Sequence, residues 1–234
     1  MVQSNILSIG THPNIAFYNW RLFTAKTSTI TYIPDSSSST DPSQTTNGHS
    51  KNRSSKVNKS FQWSSPQFGN SRFTMSNVYP DLDTYLGVMA NSNKLPKIDF
   101  IIVSASSLQE LSNMFAKLTK LVQDQLAKKY VPTIIVESTN FVNLEPFIKM
   151  SLQVEADVPI LSIMSDFDVR VLGNNVYGVH PSKKESELVY LGRSGGESEY
   201  TSQDISLINK VSDLFESAGI DVYKLNTPLE FLSL

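Results

Sequence analysis

The sequence predicts an α/β fold of the Rossmann type, a parallel sheet with helices on both of its faces. Short apolar runs that suit buried strands alternate with longer segments whose apolar residues recur every three or four positions. A strand, a glycine turn, a helix and a second strand open the chain, which is the order of a βαβ unit. Since 40% of the 234 residues are hydrophobic, the chain can bury one large core, and we predict a single domain over residues 1–234.

The opening unit is the most regular part of the chain. Its first strand is the apolar run 6–9, which ends at Gly10. Pro13 suits the first turn of the following helix, because the first N–H groups of a helix have no partner within the helix. The second strand, 27–33, is rich in β-branched residues, which favour extended backbone.

Residues 35–60 differ in composition from everything around them. Serine, threonine, asparagine and lysine dominate, and Val57 is the single apolar side chain between positions 36 and 60. A segment of this composition cannot bury enough apolar surface to offset the entropy lost on ordering. We therefore predict a disordered insertion within the domain.

The remaining segments continue the alternation of strands and helices. Short strands are expected around Phe61 and Phe73, and the strongest buried strand spans 99–103. A helix of about 107–129 follows it, with an apolar face that repeats at helical spacing. Further predicted elements are strands at 133–136, 159–163, 169–172, 176–179 and 188–191, a helix at 202–218 and a last strand at 220–223.

Composition excludes several classes of protein. Cysteine is absent, which excludes disulfides, a thiol nucleophile and thiolate zinc sites, and three scattered histidines predict neither a metal site nor a catalytic base. A net charge of −2 does not indicate nucleic-acid binding, and no apolar run is long enough to span a membrane. The amino terminus lacks the features of a secretion signal, so we expect an intracellular, cytoplasmic protein that is not secreted.

An ordered set of motifs resembles the ketopantoate reductase-like (2-dehydropantoate 2-reductase) proteins. The set begins with the strand and glycine at 6–10 and the aromatic helix at 16–22, and it covers almost the whole chain outside the insertion. Its later members are Phe68-Gly69, 98–103, Leu144-Glu145-Pro146-Phe147, 158–162 and 214–222. The resemblance, to a divergent fungal type, implies an N-terminal Rossmann domain that binds NADP. It also implies a helical domain with a catalytic lysine, which would begin where this chain ends.

The expected cofactor site departs from the pattern of that family. Its G-x-G-x-x-G motif falls on Gly10 to Ile15, where His12 and Ile15 replace the second and third glycines. Those glycines admit the pyrophosphate and allow close packing of helix and strand. The resemblance also aligns the family's lysine with Ser106 and its asparagine–glycine pair with Thr139-Asn140. The candidate cofactor-binding positions of this degenerate site are Gly10, Thr11, His12, Asn14, Ile15, Ser106, Thr139 and Asn140.

Three functions remain open from the sequence. The first is a non-catalytic ketopantoate reductase-like domain, a scaffold or protein-interaction module of a larger fungal protein, with no cofactor and a protein partner. The second is an NADP-dependent reductase of a 2-oxo acid such as ketopantoate, of which this chain is the cofactor half. The third is a module that senses a dinucleotide without turning it over. The lost glycines favour the first of these.

Overall fold

The computed structural model describes residues 3–10, 12–34, 57–92, 95–137, 144–180, 188–193 and 199–233. These residues form two sheets and five α-helices. In chain order the elements are β1 (Ser4–Ile9), α1 (Pro13–Ala25), β2 (Ser28–Ile33), β3 (Ser60–Ser65), β4 (Gly69–Thr74), α2 (Leu82–Ala90), β5 (Phe100–Val103), α3 (Leu108–Ala127), β6 (Thr133–Glu137), α4 (Glu145–Leu152), β7 (Ile160–Ser165), β8 (Asp168–Gly173), β9 (Val176–His180), β10 (Leu188–Gly192), α5 (Ser202–Glu216), β11 (Asp221–Lys224) and a final 3₁₀ turn, Pro228–Ser233.

The larger sheet has seven strands in the order β2-β1-β5-β6-β7-β10-β11. Its first five strands are parallel, β10 runs antiparallel to β7, and β11 runs parallel to β10. The strand order reverses at β1, which pairs with β2 on one side and β5 on the other. This mostly parallel sheet confirms the Rossmann-like fold predicted from the sequence.

Helices cover both faces of this sheet, as predicted. Successive side chains of a strand point to opposite faces, so Ile6 of β1 joins the core beneath α1 and α5, whereas Leu7 joins the core beneath α2, α3 and α4. Phe100 and Ile101 of β5 divide in the same way. The apolar face of α3 lies in the second core, which explains its helical period. The sequence prediction did not include α2 or α4.

Capping groups set the starts of the longer helices. The Ser107 side chain accepts the N–H of Glu110 at the start of α3. Thr201 and Asp204 form a reciprocal capping box at the start of α5. These caps set where the two helices begin, and both helices lie within a few residues of the bounds predicted from the sequence.

The smaller sheet, in the order β4-β3-β9-β8, packs over α1. Trp63 of β3 stacks on Trp20 of α1 with ring centroids 4.9 Å apart. The prediction of an insertion at 35–60 ends too late, because Val57 packs against the core and Ser60 begins β3. Residues 35–56 of that predicted insertion lie outside the described residues. Among the helices that are described, none is long and apolar enough to cross a membrane.

Candidate functional site at the carboxyl edge of the sheet

The carboxyl ends of β1 and β5 meet where the strand order reverses, which is where open α/β sheets bind ligands. Gly10 follows β1 with a φ of +139°, a conformation that side chains of L-residues rarely adopt. A Cβ at this position would lie 2.6 Å from the carbonyl oxygen of Ser104. The close approach of two strand ends therefore requires this glycine, with or without a ligand.

Two N–H groups in the first turn of α1 already donate hydrogen bonds to His12. The N–H of Asn14 donates to Nδ1 of His12 at 3.3 Å, and the N–H of Ile15 donates to the His12 carbonyl at 3.0 Å. Pro13 has no N–H. Free N–H groups are what a helix N-terminus offers to a phosphate. Positions 13 to 15 have none to offer, and Thr11 lies outside the described residues.

The two side chains that replace the family's glycines have different surroundings. His12 is half-buried, and burial lowers the pKa of its imidazole, while the charge of Asp168 opposes that shift. Ile15 is fully buried in the core beneath α1 and α5. The position that is glycine in the family's motif is therefore a packing position in this chain.

A buried polar cluster connects α1 to the ends of two strands. It consists of Asn14 and Tyr18 of α1, Glu137 at the end of β6 and Ser165 at the end of β7, and we call it the Glu137 cluster. Tyr18 donates its hydroxyl to the Glu137 carboxylate and also contacts the Ser165 hydroxyl. Ser165 donates to Glu137 at 3.1 Å. The amide nitrogen of Asn14 donates to Ser165 at 3.0 Å and to Glu137 at 3.5 Å.

Burial controls the protonation of this cluster. Glu137 is 4% exposed, and burial raises its pKa to about 7, while hydrogen bonds from Tyr18, Ser165 and Asn14 oppose the shift. Burial, followed by the neighbouring carboxylate, holds the pKa of Tyr18 well above its ordinary value. The carboxyl group thus lies enclosed beside the first turn of α1, where any negative charge on it would repel a phosphate.

The structure brings part of the predicted site together. Gly10, His12, Asn14 and Ile15 lie at the carboxyl edge, in the strand-to-helix turn and the first turn of α1. Ser106 is exposed, and its backbone N–H and hydroxyl donate to Glu110 at 2.8 and 2.6 Å. Thr139 and Asn140, like Thr11, lie outside the described residues. Ser106 therefore acts at the start of α3, in a local capping interaction.

Sequence reasoning missed Glu137, Tyr18 and Ser165. One signal was available, because Glu137 is a charged residue that directly ends the apolar run of β6. Tyr18 follows Asn14 by four residues, which places both on one face of α1. Among the described residues there is no group of three side chains that could hold a metal ion.

A second ion-pair cluster lies next to β10. Arg193 forms a two-pronged pair with Glu145 at the start of α4, and its third nitrogen donates to Asp204 of α5 at 2.7 Å. Both carboxylates are largely buried, and burial acts to raise their pKa values. Hydrogen bonds outweigh that effect and lower both pKa values, chiefly from Arg193 for Glu145, and from Thr201 and then Arg193 for Asp204. Lys149 adds a contact to Glu145 at 3.0 Å. Because each nitrogen of the Arg193 guanidinium already has a carboxylate partner, the main role of this cluster is to join β10, α4 and α5.

Comparisons with known proteins find two yeast proteins whose sequences are similar to this chain. No family model matches the chain. Styryl dye vacuolar localization protein 3 of Saccharomyces cerevisiae is 30% identical over 233 residues, which is 97% of this chain and 25% of that protein. Protein PAM1 of the same yeast is 29% identical over 214 residues, which is 90% of this chain and 22% of that protein. The chain thus spans about a quarter of the length of these curated relatives.

Solved structures of dehydrogenases share the fold. A 2-dehydropantoate 2-reductase from Geobacter metallireducens has a TM-score of 0.58 at 10% identity, over 94% of this chain and 57% of that one. A second, from Enterococcus faecalis, has a TM-score of 0.57 at 10% identity, with coverage of 95% and 57%. D-mandelate dehydrogenase with NADH has a TM-score of 0.58 at 11% identity, also over 95% and 57%. The chain therefore has the ketopantoate reductase-like fold that its motifs resemble.

Proposed function

We propose that this chain is a non-catalytic ketopantoate reductase-like domain that serves as a scaffold or protein-interaction module of a larger fungal protein. In this proposal residues 1–234 act as one domain in the cytoplasm and bind a protein partner. The start of α1 carries the argument. His12 accepts the N–H groups of Asn14 and Ile15, and Pro13 has none, so positions 13 to 15 offer no free donor to a pyrophosphate.

The Glu137 cluster supports the same reading. A dinucleotide at this edge would bring two phosphates toward a carboxyl group that is enclosed and connected to α1 through Asn14. Where Glu137 is ionised its charge would repel the phosphates, so their approach would require this carboxyl group, whose pKa is about 7, to hold a proton. The residues present therefore do not fit a pyrophosphate in the manner of the G-x-G-x-x-G turn.

The yeast relatives add a weaker argument. Their names, styryl dye vacuolar localization protein 3 and Protein PAM1, do not describe an enzyme. The chain matches only about a quarter of each. A domain retained within much longer proteins of this kind suits an interaction module.

The second candidate is a domain that still binds a dinucleotide, as a sensor or as the cofactor half of a reductase. One observation favours it, since structures that share the fold include D-mandelate dehydrogenase with NADH and yersinopine dehydrogenase with NADP⁺ bound. Gly10 does not distinguish the two candidates, because the contact with Ser104 alone requires it.

Calorimetric titration with NADPH and with NADH separates the candidates. We expect no saturable heat up to millimolar dinucleotide, and no oxidation of NADPH in the presence of ketopantoate. A bacterial 2-dehydropantoate 2-reductase titrated under the same conditions is the positive control. A dissociation constant in the low micromolar range would refute the non-catalytic reading and establish the second candidate.

A further inference from the structure

Strand β8 forms one edge of the smaller sheet, because it pairs with β9 on one side and with no strand of the described residues on the other. An edge strand presents a row of backbone N–H and C=O groups that another strand can bind. The regular part of β8 is short, since its pairing with β9 shifts register between Val171 and Gly173. The part of β8 that can accept a further strand is therefore 168–171.

The two faces of this regular part differ in chemistry. Side chains alternate along a strand, so Val169 and Val171 point toward α1, whereas Asp168 and Arg170 point away from it. Val169 is buried in the core, but Val171 on the same face is 60% exposed. Asp168 and Arg170 are both exposed and lie 3.6 Å apart. The edge thus offers an uncovered apolar side chain on one face and one charge of each sign on the other.

These charges match a second copy of the same strand. A two-fold axis between two antiparallel copies of a strand places one residue opposite its own copy. With Val169 at the axis, Asp168 of each copy lies opposite Arg170 of the other. With Asp168 or Arg170 at the axis, like charges would lie opposite each other, which is unfavourable. An axis at Val171 would require pairing through the bulge at Leu172. Charge complementarity therefore selects Val169.

The same register suits the apolar face. Val169 lies opposite its own copy, and Val171 lies opposite Phe167 of the second copy. Phe167 is fixed in the core, where its ring centroid is 4.6 Å from that of Phe17. Pairs of aromatic and β-branched side chains across a ladder stabilise a sheet. Pairing about Val169 would therefore cover the exposed valine as well as join the charges.

The other edge strands lack this self-complementarity. β2 is partly covered, because the backbone of Tyr32 exchanges hydrogen bonds with the segment 77–79. β4 carries a single charged side chain, Arg72, and therefore no acidic residue to lie opposite it. In β11, no two-fold register places Asp221 opposite Lys224, because these residues are an odd number of positions apart. Among the described edge strands, β8 is thus the one whose own sequence provides its partner.

We propose that β8 is a self-association surface, at which two copies of this chain pair through antiparallel β8 strands about Val169. Their four-stranded sheets then form one continuous sheet across the two-fold axis. The inference goes beyond the proposed function and does not depend on it, because a second copy can pair at β8 whether or not the domain binds a dinucleotide. The ladder is short, so the dimer forms in a concentration-dependent equilibrium.

Sedimentation velocity of the 234-residue chain at about 1 to 300 μM measures this equilibrium, since small interfaces associate weakly. We expect a shift from monomer to dimer over that range. Asp168→Arg and Arg170→Asp should each raise the dimer dissociation constant by about tenfold or more, because each substitution puts like charges opposite each other in both cross-strand pairs. Both side chains are exposed, so the variants should fold, and urea denaturation verifies this.

A mixture of the two variants tests the register directly. Asp168→Arg has two arginines on the outer face of β8 and Arg170→Asp has two aspartates, so opposite charges meet only when one copy of each variant pairs. We expect a dye-labelled sample of one variant to sediment as a dimer once the other is added in equal amount. Arg72→Asp, the same charge reversal on the other edge strand of the sheet, is the matched control and should change the dissociation constant by less than about twofold.

Three results would overturn the proposal. The first is a parent chain that stays monomeric over the whole concentration range. The second is a dimer that both charge reversals leave unchanged, which would place the interface elsewhere. The third is loss of the dimer in both variants without recovery in their mixture, which would exclude the register about Val169. An NADPH titration of the parent chain tests the proposed function separately, so failure of one is distinguishable from failure of the other.

Discussion

Replacing Glu137 with glutamine should change how the stability of the domain depends on pH. The carboxyl group is buried, and its pKa is raised from the ordinary 4.5 to about 7 in the folded protein. The folded state therefore binds this proton more tightly than the unfolded state does. Stability must then fall as pH rises from about 4.5 to 7 and level off above that range, because ionisation is easier in the unfolded chain.

The size of the effect follows from the two pKa values. Each pKa unit corresponds to about 1.4 kcal/mol, so ionising Glu137 costs the fold on the order of 2 kcal/mol between pH 5 and pH 8. Glutamine keeps the shape and can still accept the Tyr18 hydroxyl, but it does not titrate. From pH 5 to pH 8, the free energy of unfolding of the parent should therefore fall by about that amount relative to that of Glu137→Gln.

Urea denaturation at pH 5, 6, 7 and 8 measures this difference. Glu155→Gln is the matched control, because Glu155 is an exposed glutamate outside the Glu137 cluster. We expect the control to follow the parent at every pH. Parallel curves for the parent and Glu137→Gln would show that the carboxyl group is not enclosed, and the electrostatic argument against a bound pyrophosphate would fail with it.

Three further substitutions or deletions test other parts of the structure. Combining His12→Gly with Ile15→Gly should lower the free energy of unfolding by about 2–4 kcal/mol, through lost burial and glycine entropy, and calorimetry should still detect no tight NADPH binding. Arg193→Ala should cost about 3–5 kcal/mol in urea denaturation because it leaves Glu145 largely buried without its main partner, whereas Arg193→Lys should cost less. Deleting residues 36–56 should shift the melting temperature by only a few degrees, since long insertions add little loop-closure entropy, whereas extending the deletion through 60 should destabilise the domain.

The larger sheet could be predicted from the sequence because each of its units is local. An apolar run such as 99–103 is followed directly by its helix, so the period of the sequence shows both elements. The smaller sheet could not be assembled in this way. Its central pair joins β3 to β9 across more than 100 residues, Gln62 opposite Val176, and no local pattern encodes such a pairing. The sequence predicted strands in these segments, but it did not predict that they pair in a second sheet.

The candidate site shows the same division between local and non-local signals. The turn from Gly10 to Ile15 is contiguous, so its departures from the glycine motif were visible in the sequence. The Glu137 cluster combines one helix with the ends of two strands, and the raised pKa of its carboxyl group depends on that enclosure. Only the three-dimensional arrangement brings these residues together. The assignment of all eight candidate cofactor-binding positions, including Thr11, Thr139 and Asn140, stays a prediction.

Asn14 connects the two features that argue against a dinucleotide. Its backbone N–H is bound by His12, and its side chain donates to Ser165 and Glu137, so one residue both closes the first turn of α1 and joins that turn to the strand ends. Glycines at 12 and 15 would free the turn but leave this connection and the buried carboxyl group in place. Two elements of the edge therefore oppose a dinucleotide in our proposal, and we expect that no single reversion at the glycine motif gives binding. Because this edge is filled by its own side chains and hydrogen bonds, we expect the domain to act through another part of its surface.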